Sequence, residues 1–324
     1  MFETGTITSA TPWAALSAVI QGKCGGAGLA NWSFVERIPA GTGLGTSGAA
    51  TYHVDVFKCA ASGTDASDAE VDWYFALRIP TPDGAVTSLC NVFEDYEGGS
   101  NKRFRRPAPA PVSAVPTGAE GWRSDTYAQF AQVTGLNIGG TLQALNVSGF
   151  TYWLKMSRNF IGLALRVGTT YTFNGALVFD SLVTSFSDPA PIAVMGGQST
   201  AGAAFTRIPG ITTAATNNWG IAGLAWIYPV SANLSNPANQ DKWADGKVSS
   251  SRIVLRHVAG ATAATAATQG GVRGFVKPED MIMIATDASV YAGDTMAIGA
   301  DTWVVMYVGS FGTGGLAGIF LVKQ

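Results

Sequence analysis

Charge is what this sequence has least of. Only 13% of its 324 residues are Asp, Glu, Lys or Arg, about half the ~25% of an ordinary soluble domain. The formal net charge is −2, so the chain lacks the basic field that holds a general nucleic-acid binder to its phosphates. Histidine is represented by His53 and His257 alone, and the three cysteines, Cys24, Cys59 and Cys90, stand far apart with no CxxC spacing. Neither a zinc site nor a disulfide framework has its ligand grouping, and no metal or cofactor is expected. No uninterrupted apolar run approaches the roughly 20 residues of a membrane-spanning helix. Residues 1–20 carry no basic stretch ahead of an apolar one, so no secretory signal is read there. The expectation is a soluble, unprocessed protein made in a reducing compartment, without a membrane partner. The N-x-S matches at Asn31, Asn146 and Asn233 are then accidents of composition.

What is present is apolar and glycine-rich: 47% hydrophobic residues and 40 glycines. High apolar content with low net charge excludes a disordered chain. The length suits one large β domain or two modest ones, with a core large enough to fold without staples.

The opening reads as a short helix, with Thr11 as cap, Pro12 in the first turn and Trp13, Leu16, Val19 and Ile20 at helical spacing; Gly22 and the Gly25–Gly26 pair are expected to stop it. The period then changes to two. Segments 31–38, 51–58, 71–79 and 87–96 are short, rich in β-branched and aromatic residues, and bounded by turn residues, which predicts hairpins of an antiparallel sheet. Within 71–79, Trp73, Phe75 and Leu77 would share one face and Tyr74 and Arg78 the other. Further strands are expected at 150–156, 160–167, 170–179, 191–197, 222–230, 251–259, 281–286, 302–309 and 317–323, and a weaker helix at 121–134. No helix–strand alternation appears, so a parallel doubly wound sheet is excluded. The fold class is therefore mainly β, antiparallel and sandwich- or barrel-like, with one or two short helices; an α+β reading of the N-terminal part stays open. Alternating Pro and Ala at 106–118 reads as an extended linker, separating a helix-plus-β domain at 1–105 from a larger β-rich domain at 119–324.

The distribution of the few charges is more informative than their number. Residues 126–154, 208–240 and 258–272 contain no Asp, Glu, Lys or Arg at all. Surfaces of free monomers carry interspersed charges that keep them from associating, whereas the cores of interfaces are depleted of them. These stretches therefore point to contact with other subunits.

Motifs for chemistry are weak. Gly43, Gly45 and Gly48 match GxGxxG, but a β-like segment follows them where a helix N-terminus is required; a hairpin loop is the plainer reading. His53 and Asp55 alternate onto one side of a strand, yet no nucleophile motif accompanies them; a surface or subunit-contact pair is expected. The acidic residues Asp65, Asp68, Glu70 and Asp72 lack the order of a calcium loop, and no carboxylate pair is singled out for glycoside cleavage. Four basic residues, Lys102, Arg103, Arg105 and Arg106, surround Phe104 directly after an acidic stretch. Guanidinium forks suit carboxylates at interfaces, so Arg103, Phe104, Arg105 and Arg106 are read as contacts to a neighbouring subunit rather than to nucleic acid.

Several phrases together resemble virion proteins of tailed bacteriophages: NWSFVERIPAG (31–41), DVFKCAASGTD (55–65), DWYFALRI (72–79), LCNVFEDYE (89–97), WLKMSRNFIGLALRVGTTYTF (153–173), ALVFDSLVTSFSDPAPIAVMGG (176–197) and TWVVMYVGSFGTGGLAGIFLV (302–322). The resemblance implies a non-enzymatic, β-rich component of a tail, neck or baseplate. It would be present in several symmetric copies, assembled in the host bacterial cytoplasm and residing in the virion, with copies of itself and other virion proteins as partners and no small-molecule substrate. It carries over no catalytic or binding residue. The alternative is a receptor- or glycan-binding module of a fibre or tail tip, in which Trp122, Trp219 and Trp243 stack on sugars; all three also fit as core or interface anchors. A hydrolase with an unmarked carboxylate site is a third reading.

Overall fold

The structure, a computed structural model, describes residues 1–40, 51–60, 72–81, 90–93, 95–98, 103–105, 137–138, 141–142, 149–167, 170–178, 180–181, 192–198, 205–207, 248–251, 253–256, 272–286, 291–311 and 316–324. In chain order these form β1 (Phe2–Ile7), α1 (Pro12–Lys23), β2 (Trp32–Ile38), β3 (Thr51–Cys59), β4 (Trp73–Thr81), β5 (Cys90–Phe93), β6 (Asp95–Glu97), β7 (Arg103–Arg105), β8 (Asn137–Ile138), β9 (Thr141–Leu142), β10 (Phe150–Ser157), β11 (Phe160–Val167) and β12 (Thr170–Val178). They continue with β13 (Asp180–Ser181), β14 (Ile192–Gln198), β15 (Phe205–Arg207), β16 (Val248–Ser251), β17 (Val254–Arg256), β18 (Val272–Phe275), β19 (Ile282–Thr286), β20 (Thr295–Ile298), β21 (Asp301–Phe311) and β22 (Leu316–Lys323).

The fold is mainly β, with one helix among the described residues. Every strand pairing described is antiparallel. The three larger sheets run β1-β10-β11-β12-β14-β15, β2-β3-β4-β5 and β16-β19-β22-β21-β20. Strands β13, β18 and β17 form a smaller sheet, and β6-β7 and β8-β9 are two-stranded.

Helix α1 starts as its sequence dictates, with Pro12 in the first turn and Ala15 N–H donating to Thr11 O. Thr11 makes no side-chain cap; its N–H donates to Ser9 Oγ at 3.0 Å, and the Ser9 and Thr11 hydroxyls share a hydrogen bond. Gly22 lies inside the helix; the chain turns away at Gly25, whose φ of 74° is open to glycine at little cost. Trp13, Leu16 and Ile20 are fully buried, and Val19 packs beside them.

That apolar stripe fills the space between two sheets. Trp13 meets Phe150 of β10 at 5.6 Å, and the same core takes in Trp32, Phe57, Cys59, Trp73, Phe75 and Leu77 from the four-stranded sheet and Tyr152, Leu154, Ile161 and Leu163 from the six-stranded one. Each fully buried side chain of this size contributes about 1.5–3 kcal/mol. The inward face of β2-β3-β4 is built in rungs. Phe34, Phe57 and Phe75 stand opposite one another in register, with ring centroids 5.5 and 5.9 Å apart. On the next rung Cys59 sits between Trp32 and Trp73, and the two indoles meet edge to face at 5.1 Å. The expected sharing of one face by Trp73, Phe75 and Leu77 is what the core shows, and half-buried Tyr74 lies on the other.

The 106–118 stretch lies outside the described residues. On its two sides, residues 1–7 and 150–155 belong to one sheet, Phe2 opposite Lys155 through Ile7 opposite Phe150, and the core just described draws on both. The helix expected at 121–134 and the strand at 222–230 also lie outside the described residues.

Candidate functional site

The basic segment forms one strand of a hairpin. Strands β6 and β7 pair so that Asp95 stands opposite Arg105, Tyr96 opposite Phe104 and Glu97 opposite Arg103. The hairpin is anchored by Tyr96, which is buried against Ile38, Val54, Val56 and Ala76 and donates its hydroxyl to Glu36 Oε1 at 2.9 Å. Burial, and then the Glu36 carboxylate, push the Tyr96 phenol well above its ordinary range. Arg106, Trp122, Trp219 and Trp243 lie outside the described residues, as do 208–240, residues 258–271, the GxGxxG at 43–48 and His257.

The His53–Asp55 reading is corrected. Asp55 is fully buried and belongs to a different pair: Arg37 Nε donates to Oδ1 at 2.6 Å, Arg37 Nη2 to Oδ2 at 2.7 Å, and Ser17 Oγ of α1 donates to Oδ2. His53 instead accepts the Ala40 N–H at Nδ1, 3.1 Å, and braces the end of β2. A carboxylate buried at that depth requires a charged partner and filled lone pairs, and the bidentate guanidinium with the Ser17 hydroxyl supplies them. The acidic run contributes one ion pair among the described residues, Asp72 to Lys58 at 2.5 Å.

A second polar cluster lies on the outward face of β10, where the six-stranded sheet meets the five-stranded one. Lys155 and Ser157 project to this side while Leu154 and Met156 enter the core. Lys155 Nζ donates to Lys323 O of β22 at 2.5 Å, and Ser157 Oγ donates to Asp280 Oδ1. Asp280 closes the turn before β19, its N–H bonded to Lys277 O at 3.0 Å. Lys155, Lys277 and Asp280 are all buried, at 6%, 8% and 2% exposure. Burial lowers the Lys155 amine below its ordinary range and pushes the Asp280 carboxyl up to about 6. Farther along the same face the Trp153 ring lies under Gly293, with the Arg166 guanidinium 5.4 Å from its centroid. None of these groups was singled out from sequence. The one available signal is Lys155 itself, the first charge after a neutral stretch that begins at 126, set in an otherwise apolar strand.

At the other end of β10, Tyr152 donates to Glu3 Oε1 at 2.7 Å, and Glu3 is ion-paired to Lys23. This ties β1 to the last turn of α1. Burial first, and then the Glu3 carboxylate, push the Tyr152 phenol up to about 12.

Chemically, these clusters join layers. Their carboxylates are occupied by partners of the chain itself. Cys24 and Cys59 are not joined in a disulfide, and Cys59 is buried, donating to Arg158 O at 2.9 Å. Asn31 Nδ2 is held on Arg158 O at 2.5 Å. Among the described residues no three His, Cys, Asp or Glu side chains are grouped to hold a metal ion, and no helix is long and apolar enough to cross a membrane. No protein-family model matches the chain, and no curated protein matches it.

Proposed function

We propose that this protein is a non-enzymatic structural component of a tailed-phage virion, of the tail, neck or baseplate, that assembles with its own copies through charge-poor surfaces. The observation that carries the reading is the uneven charge distribution: 208–240 and 258–272 hold no ionic side chain, while the chain's ionic groups concentrate elsewhere, several of them as internal ties between layers. A surface without ionic groups is the kind that identical neighbours cover in obligate assemblies, and closed symmetry lets one patch serve every copy. The phrases that resemble phage virion proteins support the same reading, as does a stacked antiparallel architecture whose layers are tied by side chains of the chain itself.

Native mass spectrometry with sedimentation velocity tests it. The expected species is a closed multimer, an integer multiple of the 33.6 kDa chain, that persists on dilution. Ala214→Glu or Ala264→Glu, each placing a carboxylate in a charge-free stretch, is expected to dissociate it while the circular dichroism of the folded chain is kept. A monomer at all concentrations overturns the reading.

A further inference from the structure

The contact from Ser157 to Asp280 and the bond from Lys155 to the Lys323 carbonyl are hydrogen bonds by which residues of one face of β10 grip the layer beyond it. Both donors come from the six-stranded sheet, and both acceptors belong to segments of, or leading into, the five-stranded sheet. We infer that the buried seam these contacts bridge is a proton-operated latch between the two sheets, closed most tightly when the enclosed Asp280 carries its proton and weakened when the proton leaves an anion that burial has stripped of water.

The geometry gives the reason. Asp280 is 2% exposed, so its ionised form must be solvated by protein groups alone. From β10 it faces the Ser157 hydroxyl and, farther off, Lys155. From its own turn it faces Lys277 and Glu279, and the Met1 amino group, itself bonded to Met156 O at 2.8 Å, also senses its charge. Lys155 is shared with Lys323, whose own Nζ is paired with Asp301 at 2.7 Å. Burial is the largest influence on Asp280 and opposes ionisation; the Ser157 bond favours the anion, Glu279 opposes it, and Lys277 and Lys155 favour it, leaving the carboxyl at about 6. A carboxyl whose titration is raised by closing the seam stabilises the closed form at pH values below its ordinary range near 3.8, and that contribution is lost as pH rises through about 6. The switch therefore tightens on mild acidification, opposite in sign to a carboxylate held in an ordinary ion pair.

Hydrogen–deuterium exchange of the full chain tests it, on peptides covering 153–160, 276–284 and 319–324, at about pH 5 and about pH 7.5, with rates corrected for intrinsic exchange. Opening of the seam is expected to be about tenfold more frequent at the higher pH, from the displacement of one carboxyl from 3.8 to about 6. Asp280→Asn keeps an acceptor for Ser157 and cannot titrate; its exchange should be the same at both pH values. Equal exchange in the unaltered protein, or an undiminished pH ratio in Asp280→Asn, overturns the latch. If that variant does not fold, carboxyl-carbon NMR of the unaltered protein decides: an Asp280 midpoint near 6 supports it, and one near 4 overturns it.

Discussion

Arg37 reaches Asp55 because β2 bulges between Phe34 and Glu36. In the register of β2 on β3, Phe34 stands opposite Phe57 and Glu36 opposite Val56, so Val35 is the extra residue and is turned out, 41% exposed. A strand of strict alternation would place Glu36 on the side of Trp32 and Phe34, against the helix, and Arg37 on the other. The bulge exchanges them. Arg37 closes on the buried Asp55, and Glu36 receives the Tyr96 hydroxyl on the opposite face.

Removing that guanidinium leaves a carboxylate in the core. Arg37→Met is expected to cost about 2–4 kcal/mol, somewhat below a fully buried pair because Arg37 keeps 43% of its side-chain exposure. Urea denaturation monitored by tryptophan fluorescence measures it, and the double variant Arg37→Met with Asp55→Asn should recover a large part of the loss.

Cys59 owes its place to its size. It stands between Trp32 and Trp73 on one rung, and the indoles touch over it. Cys59→Ala should cost about 1–2 kcal/mol, through a small cavity and the lost bond to Arg158 O. Cys59→Leu forces the indoles apart and should cost about 1–3 kcal/mol while altering the near-ultraviolet circular dichroism of the coupled rings.

Gly293 lies flat on Trp153. A Cβ there would stand 2.7 Å from Trp153 Cζ2, and its φ of 94° is one that side-chain-bearing residues rarely adopt. Gly293→Ala should lower stability by about 1–3 kcal/mol and speed amide exchange at Gly293 and Val305, which are bonded to the partners that define this turn. Gly22→Ala, with nothing within 4 Å, is the matched control and should be neutral or stabilising.

The two ends of β10 should answer acid in opposite ways. Burial tends to raise the Glu3 carboxyl, but its bonds from Lys23 and Tyr152 and the Lys23 charge prevail and hold it below its ordinary range. Its stabilising contribution is present above the ordinary carboxyl range and is lost as pH falls through the depressed value. Amide exchange in residues 2–7 should therefore quicken at the acid end while the Asp280 seam tightens, and Glu3→Gln should remove the first effect alone.

The helix and most strands were legible because burial imposes a period on the apolar residues: 3.6 in Trp13, Leu16 and Ile20, two in Trp73, Phe75 and Leu77. Strand β1 was not read, because FETGTI carries little apolar signal; Gly5 is required there by the Tyr152 ring, which would stand 2.8–3.0 Å from a Cβ, and that neighbour lies 147 positions away. The true partners of Asp55 were hidden by the bulge, since alternation alone assigns Arg37 to the wrong face. Residues 103–105 are read from sequence as a contact to a neighbouring subunit, and their pairing with 95–97 was not legible, because a hairpin register is not written in the local charge pattern. Asp280 gives no local sign of burial at all: its surroundings are set by β10, more than a hundred residues earlier.

Whether sibling chains cover the neutral stretches can be read directly by hydrogen–deuterium exchange of residues 208–240 and 258–272 in the assembled and the dissociated protein. Slow exchange in the multimer that becomes fast when Ala214→Glu separates the copies is the expected result. Equally fast exchange in both states would contradict the assembly role.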